Sequence, residues 1–89
     1  MKHHIKLTIK GRVQGVWFRA NTKQKADELA IKGFVKNLEN GSVYIEAEGS
    51  QELLDLFAIW CHEGPPLSNV NEVFEQKGAF IHFTNFEVR

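Results

Sequence analysis

The spacing of hydrophobic and polar residues predicts alternating strands and helices along the chain. Ile5, Leu7 and Ile9 alternate with polar residues, a period of two that is typical of a strand with one buried face. A polar stretch from about Ala20 to Lys32 carries small and apolar residues at three- and four-residue steps, which predicts a helix. Gly33 is placed to end this helix in a left-handed cap.

A hairpin and a second helix follow in the pattern. Strands are predicted from Phe34 to Leu38 and from Ser42 to Glu48. Asn40-Gly41 between them favours a primed turn, which needs positive φ at both central residues. Ser50 is a suitable N-cap for the second helix, and Gly64-Pro65-Pro66 ends it.

The last part of the chain predicts further strands and completes the fold class. Val70 to Glu75 indicates a fourth strand, and Phe80 to Phe83, extended towards Val88, indicates a final one. The resulting order is β-α-β-β-α-β with an extra strand segment at the end, and two helices cannot cover both faces of such a sheet. We therefore expect an α+β fold, a two-layer ferredoxin-like sandwich whose antiparallel sheet carries both helices on one face.

Composition sets the scale of the protein. The chain has 89 residues, of which 43% are hydrophobic, so we expect a single domain over residues 1–89. The lone Cys61 excludes a disulfide scaffold and is expected to be a core thiol. No apolar run approaches the roughly 20 residues of a membrane span, and none resembles a signal peptide. We expect a cytoplasmic protein with no membrane partner.

Charge is balanced overall but unevenly distributed. The chain carries 11 basic and 11 acidic residues. Nine of the basic residues lie within residues 1–36 against two acidic ones, which makes that part formally +7 and the remainder −7. Zero net charge argues against a nonspecific nucleic-acid-binding protein. The basic part can attract a small anion, although ordinary solvated lysines would give the same pattern.

The segment from Gly11 to Arg19 is the strongest candidate for chemistry. Two glycines four residues apart allow a tight loop, and a loop that leads into a helix can direct several backbone N–H groups at one anion. Glycine spacing alone is more typical of an ordinary strand-to-helix turn. Arg19 changes the balance, because the helix dipole disfavours a cation at this end unless an oxyanion lies beside it.

This loop resembles the signature of the acylphosphatase family, Gly-x-Val-Gln-Gly-Val-x-Phe-Arg. Further family segments match in the same order: Gly-aromatic-Val-x-Asn at 33–37, Gly-x-Val at 41–43, Glu-Gly at 48–49 and Gly-Pro-Pro at 64–66. The resemblance covers nearly the whole chain. Three positions depart from the usual pattern without removing a functional group: Ala30 replaces Gly, Phe34 replaces Trp and Asn40 replaces Asp. We expect the extra methyl of Ala30 to lie at a contact between helix and sheet.

The resemblance implies hydrolysis of carboxyl phosphates to a carboxylate and inorganic phosphate. Arg19 and Asn37 would be the catalytic residues, with Asn37 holding the attacking water. The phosphoryl group would be bound by Arg19 and by the loop backbone, which comprises Gln14, Gly15, Val16, Trp17 and Phe18. We expect a monomer that needs no cofactor and no metal and has no nucleic-acid partner.

Other groups carry weaker signals. The histidines show no metal-ligand spacing, since His3 and His4 are adjacent at a terminus expected to fray. We interpret Glu39, Glu46 and Glu48 as solvated residues rather than paired catalytic carboxylates.

Two alternative functions remain open on the same fold. RNA-recognition domains share the β-α-β-β-α-β order, and residues 77–83 partly match one of their motifs, but at the wrong strand. A second alternative is a non-catalytic module that binds phosphate or a protein partner.

Overall fold

The computed structural model describes residues 1–89, which form two helices and five strands. In chain order they are β1 (His3–Arg12), α1 (Phe18–Glu28), β2 (Lys32–Asn37), β3 (Val43–Gly49), α2 (Gln51–Glu63), β4 (Asn69–Gly78) and β5 (Phe86–Val88). The predicted order of elements is confirmed. Neither helix is long and apolar enough to span a membrane.

The strands form one sheet in the order β4-β1-β3-β2-β5. The first four strands of that order pair antiparallel, as predicted. The short β5 lies parallel to β2, so the sheet is mixed rather than wholly antiparallel. This parallel pairing carries Val88 and Arg89 to the end of β2, where Arg89 N donates to Val35 O at 2.8 Å.

The core lies between one face of this sheet and the two helices. Alternate residues of β1 and β3 face it, which confirms the period-two interpretation of both strands. Phe18 and Ala26 of α1 and Phe57 of α2 are buried against them. Removing these apolar side chains from water is the main stabilising contribution to the sandwich. The ferredoxin-like two-layer fold is therefore confirmed.

The end of α1 differs from the sequence-based expectation. The helix ends at Glu28, and Ala30 takes the left-handed conformation with φ 56°. Ala30 N donates to Asp27 O and Ile31 N donates to Ala26 O, the two hydrogen bonds of a Schellman motif. The predictions of a Gly33 cap and of a packed Ala30 methyl are both wrong, since Ala30 is exposed.

Gly33 instead lies within β2, where its φ is 150°. A Cβ at this position would overlap the carbonyl oxygen of Glu46 on the neighbouring strand. The glycine is therefore required by close strand packing rather than by the helix end.

The hairpin between β2 and β3 lies where the sequence predicts it, but its turn is longer. Only Gly41 of the predicted pair has positive φ, at 91°, so this is not the expected primed turn. Gly41 N donates to Leu38 O, and the Asn40 Oδ1 atom accepts from Ser42 N. The asparagine thus stabilises the turn through its side chain.

The predicted final strand is wrong at Phe80 to Phe83, whereas its extension towards Val88 is found as the short β5. Residues 79–85, here called the crossing segment, form no strand and lie against the sheet face remote from the helices. Ile81 N and Phe83 N donate to the Glu48 carboxylate at 2.6 and 2.7 Å. Because a side chain takes these amides, they are not available for a strand ladder.

Glu48 and His4 form a buried polar cluster beneath the crossing segment. Each is 2% exposed, and His4 Nδ1 lies 2.6 Å from Glu48 Oε2. Burial alone would raise the pKa of Glu48, but hydrogen bonds with His4 and the amides of Ile81 and Phe83 outweigh it and hold the pKa below its usual value. The interpretations of His4 as frayed and of Glu48 as solvated are therefore wrong.

Glu46 extends the same cluster along β3. Its carboxylate lies 2.9 Å from His4 Nε2 and accepts a 2.8 Å hydrogen bond from the Tyr44 hydroxyl. Burial and the neighbouring Glu46 raise the pKa of Tyr44 to about 12. Glu46 is thus a partly buried acceptor rather than a freely solvated residue.

Candidate active site

The loop between β1 and α1 is anchored at both ends by core residues. Val13 and Val16 are buried, whereas Gly15 between them is exposed. Gly15 has φ 72° and Trp17 has φ 65°, so the backbone turns through the left-handed region twice within three residues. Alternation of this kind brings successive N–H groups to one side of a loop and forms an anion-binding concavity.

The amides of this loop lack protein acceptors. No backbone N–H from Gln14 to Trp17 donates a hydrogen bond within the protein. Helix α1 begins immediately afterwards with no side-chain cap and no acidic residue in its first turn. Its first N–H groups and its dipole therefore add to the same positive potential, which suits an anion.

Arg19 places a cation in the first turn of α1, at the end where the dipole disfavours one. Its side chain lines a pocket together with Gly15 and Trp17. Its Nη1 atom donates to the backbone carbonyl oxygen of Arg89 at 3.1 Å. This contact leaves other guanidinium N–H groups for an oxyanion, which the planar fork can bind through two oxygens.

Asn37 lies at the end of β2 and lines the same pocket. Its Oδ1 atom is buried and accepts no hydrogen bond within the protein. A buried acceptor without a partner destabilises a fold by about 1–3 kcal/mol, so its retention needs an explanation. An acceptor that binds water or substrate in the pocket supplies one.

Gln14 connects the two parts of the site through its side chain. Its Nε2 atom donates to Leu38 O at 2.8 Å and to Ser42 O at 2.9 Å, on the turn that follows Asn37. The side chain does not line the pocket. It therefore fixes the distance between the loop and the end of β2, while its backbone N–H remains free.

The pocket has a volume of about 410 Å³ and brings most of the predicted residues together. Its walls comprise Val13, Gly15, Trp17, Phe18, Arg19, Ala20, Asn37 and Val88. Val16 does not line it, because its side chain is buried in the core. Arg19 is the only charged residue of the lining, so the charge of the pocket wall is positive.

Val88 and Arg89 are the site residues that sequence reasoning missed. The parallel pairing of β5 with β2, which no local pattern indicates, brings Val88 into the pocket lining and the Arg89 carbonyl to Arg19. The Arg89 side chain lies over the Phe34 ring at 4.1 Å and pairs with Glu87. These contacts hold the Arg89 carbonyl beside Arg19.

Other reactive groups lie away from the pocket. Burial raises the pKa of the Cys61 thiol, which lies in the core and not in the loop. No group of three or more His, Cys, Asp or Glu side chains is arranged to hold a metal ion.

The protein is thus a small α+β sandwich of ferredoxin-like type whose pocket, with free loop amides and an arginine at a helix N-terminus, suits an anion. Comparison of the sequence with models of known protein families identifies the family to which the chain belongs. The family model described as Acylphosphatase matches residues 5–88. The chain therefore belongs to the acylphosphatase family, whose members are hydrolases of acyl phosphates.

Individual relatives agree with this assignment. An acylphosphatase of Marinobacter nauticus is 48% identical over 81 residues, which cover 90% of this chain and 88% of that protein. One of Methylococcus capsulatus is 42% identical over 85 residues, covering 94% and 92%. The solved structure of an acylphosphatase from Coxiella burnetii superposes with a TM-score of 0.95 at 36% identity, covering 99% of this chain and 93% of that one.

Proposed function

We propose that this protein hydrolyses acyl phosphates in the pocket formed by the loop, Arg19 and Asn37. The observation that carries the proposal is the convergence of unpartnered loop amides, a guanidinium and an unpartnered amide oxygen on one pocket. Phosphoryl transfer depends mainly on positioning the reactants and stabilising charge on the phosphoryl oxygens. These groups supply both requirements.

Arg19 and the backbone N–H groups from Gln14 to Phe18 bind the phosphoryl oxygens in this proposal. The guanidinium takes two oxygens through its fork, and the amides take the remaining charge at the N-terminus of α1. The hydrogen bond to the Arg89 carbonyl restricts the Arg19 side chain before substrate binds. Such preorganisation lowers the entropic cost of binding.

Asn37 orients the attacking water. Its Oδ1 atom accepts a hydrogen bond from the water, whose oxygen forms a new bond to phosphorus while the bond from phosphorus to the acyl oxygen breaks. The electron pair of that bond leaves with the carboxylate, and the water proton passes to a phosphoryl oxygen of the substrate. A neutral amide cannot accept the proton itself, and a carboxylate leaving group needs no general acid.

The location of the protein, its oligomeric state and its partners are part of the same proposal. We take residues 1–89 to act as one cytoplasmic, monomeric domain without a nucleic-acid partner. Zero net charge supports the absence of a nucleic-acid partner. Light scattering coupled to gel filtration would measure the mass, and a dimer would contradict the monomer.

Hydrolysis of benzoyl phosphate, followed by ultraviolet absorbance in excess EDTA, tests the proposal. We expect rapid turnover by the wild type and a loss of about 100-fold or more in kcat for Asn37→Ala, since positioning contributes this much or more. Inorganic phosphate should inhibit both proteins alike.

Asn71→Ala is the matched control, because Asn71 is an exposed residue of β4 outside the pocket. It should retain wild-type turnover. A folded wild type without activity would favour the non-catalytic binding module, and an undiminished kcat in Asn37→Ala would remove Asn37 from the mechanism.

A further inference from the structure

Trp17 is a large aromatic side chain left in solvent on the wall of the pocket. It is 72% exposed, more than any other aromatic residue of the chain. Isolated exposed apolar residues are normal on protein surfaces, and Ile59 of α2 is one of them at 65%. Trp17 differs because it lines the same pocket as Arg19 and Asn37.

The backbone holds Trp17 rigidly in this position. Its φ and ψ are 65° and 18°, a left-handed conformation that a non-glycine residue keeps only when its surroundings fix it. The Trp17 carbonyl accepts hydrogen bonds from Asn21 N at 3.0 Å and from Asn21 Nδ2 at 2.8 Å. The backbone that carries the indole ring is therefore ordered before a ligand binds, which lowers the entropic cost of binding at this position.

The pocket divides into a polar and an apolar part. Its polar groups are the loop amides, Arg19 and Asn37, and the phosphoryl group and the attacking water engage all of them. The remaining lining is apolar, with Trp17 on the loop and Val88 on β5. No acidic residue and no lysine lines the pocket, so a charged or strongly polar acyl group finds no partner there.

We propose that Trp17 and Val88, here called the acyl ledge, bind the acyl group and select acyl phosphates with apolar or aromatic acyl groups. The inference rests on the proposed function and adds the substrate class. An aromatic acyl group stacks on the indole ring and loses apolar surface to Val88 on binding. A methyl group, as in acetyl phosphate, covers much less of the ledge.

The test is the ratio of kcat/KM for benzoyl phosphate to that for acetyl phosphate. Loss of an aromatic pair and its buried area should lower this ratio about tenfold in Trp17→Ala. Trp17→Phe keeps an aromatic face and should hold the ratio within about threefold of the wild type. Ile59→Ala, which removes an exposed apolar side chain outside the pocket, should leave it unchanged.

The ratio distinguishes a loss of acyl-group binding at the acyl ledge from damage to the phosphoryl site. Damage to the loop would slow both substrates equally, so an unchanged ratio in Trp17→Ala overturns the proposal even if both rates fall. A second readout is inhibition of the wild type and Trp17→Phe by phenylphosphonate and methylphosphonate, where equal inhibition constants for the two compounds also overturn it. If the wild type hydrolyses neither substrate, the proposed hydrolysis of acyl phosphates is itself contradicted.

Discussion

At the scale of single residues, Arg19 occupies a position that helix stability alone would not select. A cation in the first turn opposes the dipole by roughly 0.3–1 kcal/mol, and the side chain is exposed rather than packed. An anion between the guanidinium and the loop amides reverses the sign of that interaction. The position of Arg19 therefore supports the proposal that this side chain binds the substrate.

Arg19→Lys should weaken phosphate binding while keeping the charge. Lysine offers a single ammonium in place of a planar two-pronged donor, and one lost charge-assisted hydrogen bond corresponds to about 10- to 100-fold in affinity. The inhibition constant of inorganic phosphate measures the effect. Arg12→Lys, outside the pocket, should match the wild type, and equal constants for both variants would remove Arg19 from the phosphate site.

Ala30 also has a strained backbone, but it lies outside the pocket. The left-handed conformation costs a non-glycine residue about 1–2 kcal/mol, and glycine avoids this cost. Glycine also makes the unfolded chain more flexible, which offsets part of the gain in stability. Ala30→Gly should therefore raise the free energy of unfolding by about 1 kcal/mol, measured in urea. Ala58→Gly, inside α2, should lower it by a similar amount, and two changes of the same sign would contradict this account of the helix end.

At the scale of elements, the loop and a final strand segment could be predicted from the sequence, but the parallel position of that strand, β5, beside β2 could not. Gly15 and Arg19 belong to one contiguous loop motif whose residue types indicate an anion site, whereas Asn37 was predicted only through the resemblance to the acylphosphatase family. A parallel pair of strands is not joined by a hairpin, so no turn motif in the sequence indicates the position of this three-residue strand. Its position depends on the crossing segment, whose path is fixed by tertiary hydrogen bonds to Glu48.

Glu48 makes the attachment of the crossing segment dependent on pH. Its pKa is lowered in the folded protein, so its contribution to stability is complete above the unfolded pKa of about 4.3 and is lost as the pH falls through the lower folded value. Glu48→Gln should be less stable than the wild type at pH 7, and the difference should shrink towards pH 3.

Urea unfolding between pH 3 and pH 7 measures this difference. Glu72→Gln is the matched control, because Glu72 is an exposed residue of β4. It should parallel the wild type throughout. A stability difference between Glu48→Gln and the wild type that is constant with pH would contradict the assigned role of the carboxylate.

At the scale of the whole molecule, burial has a different cause on each of the two faces of the sheet. The alternation of β1 and β3 predicted the helix-covered face correctly, because burial there follows directly from the period of two. His4 and Glu48 lie on the other face, where the expectations of a frayed His4 and a solvated Glu48 were wrong because both side chains are buried. Their burial is caused by a segment more than 30 residues away, and a local pattern cannot report it.

In our proposal the loop amides and Arg19 together form a phosphoryl site. A titration of the 15N-labelled protein with inorganic phosphate, followed by amide chemical shifts, would show whether phosphate binds there. We predict that the largest shifts occur at Gly15, Val16, Trp17 and Phe18 and that Arg19→Lys needs a higher phosphate concentration to reach them. Loop amides that do not move, with shifts instead around Lys6 and Lys10 on the opposite sheet face, would contradict the account.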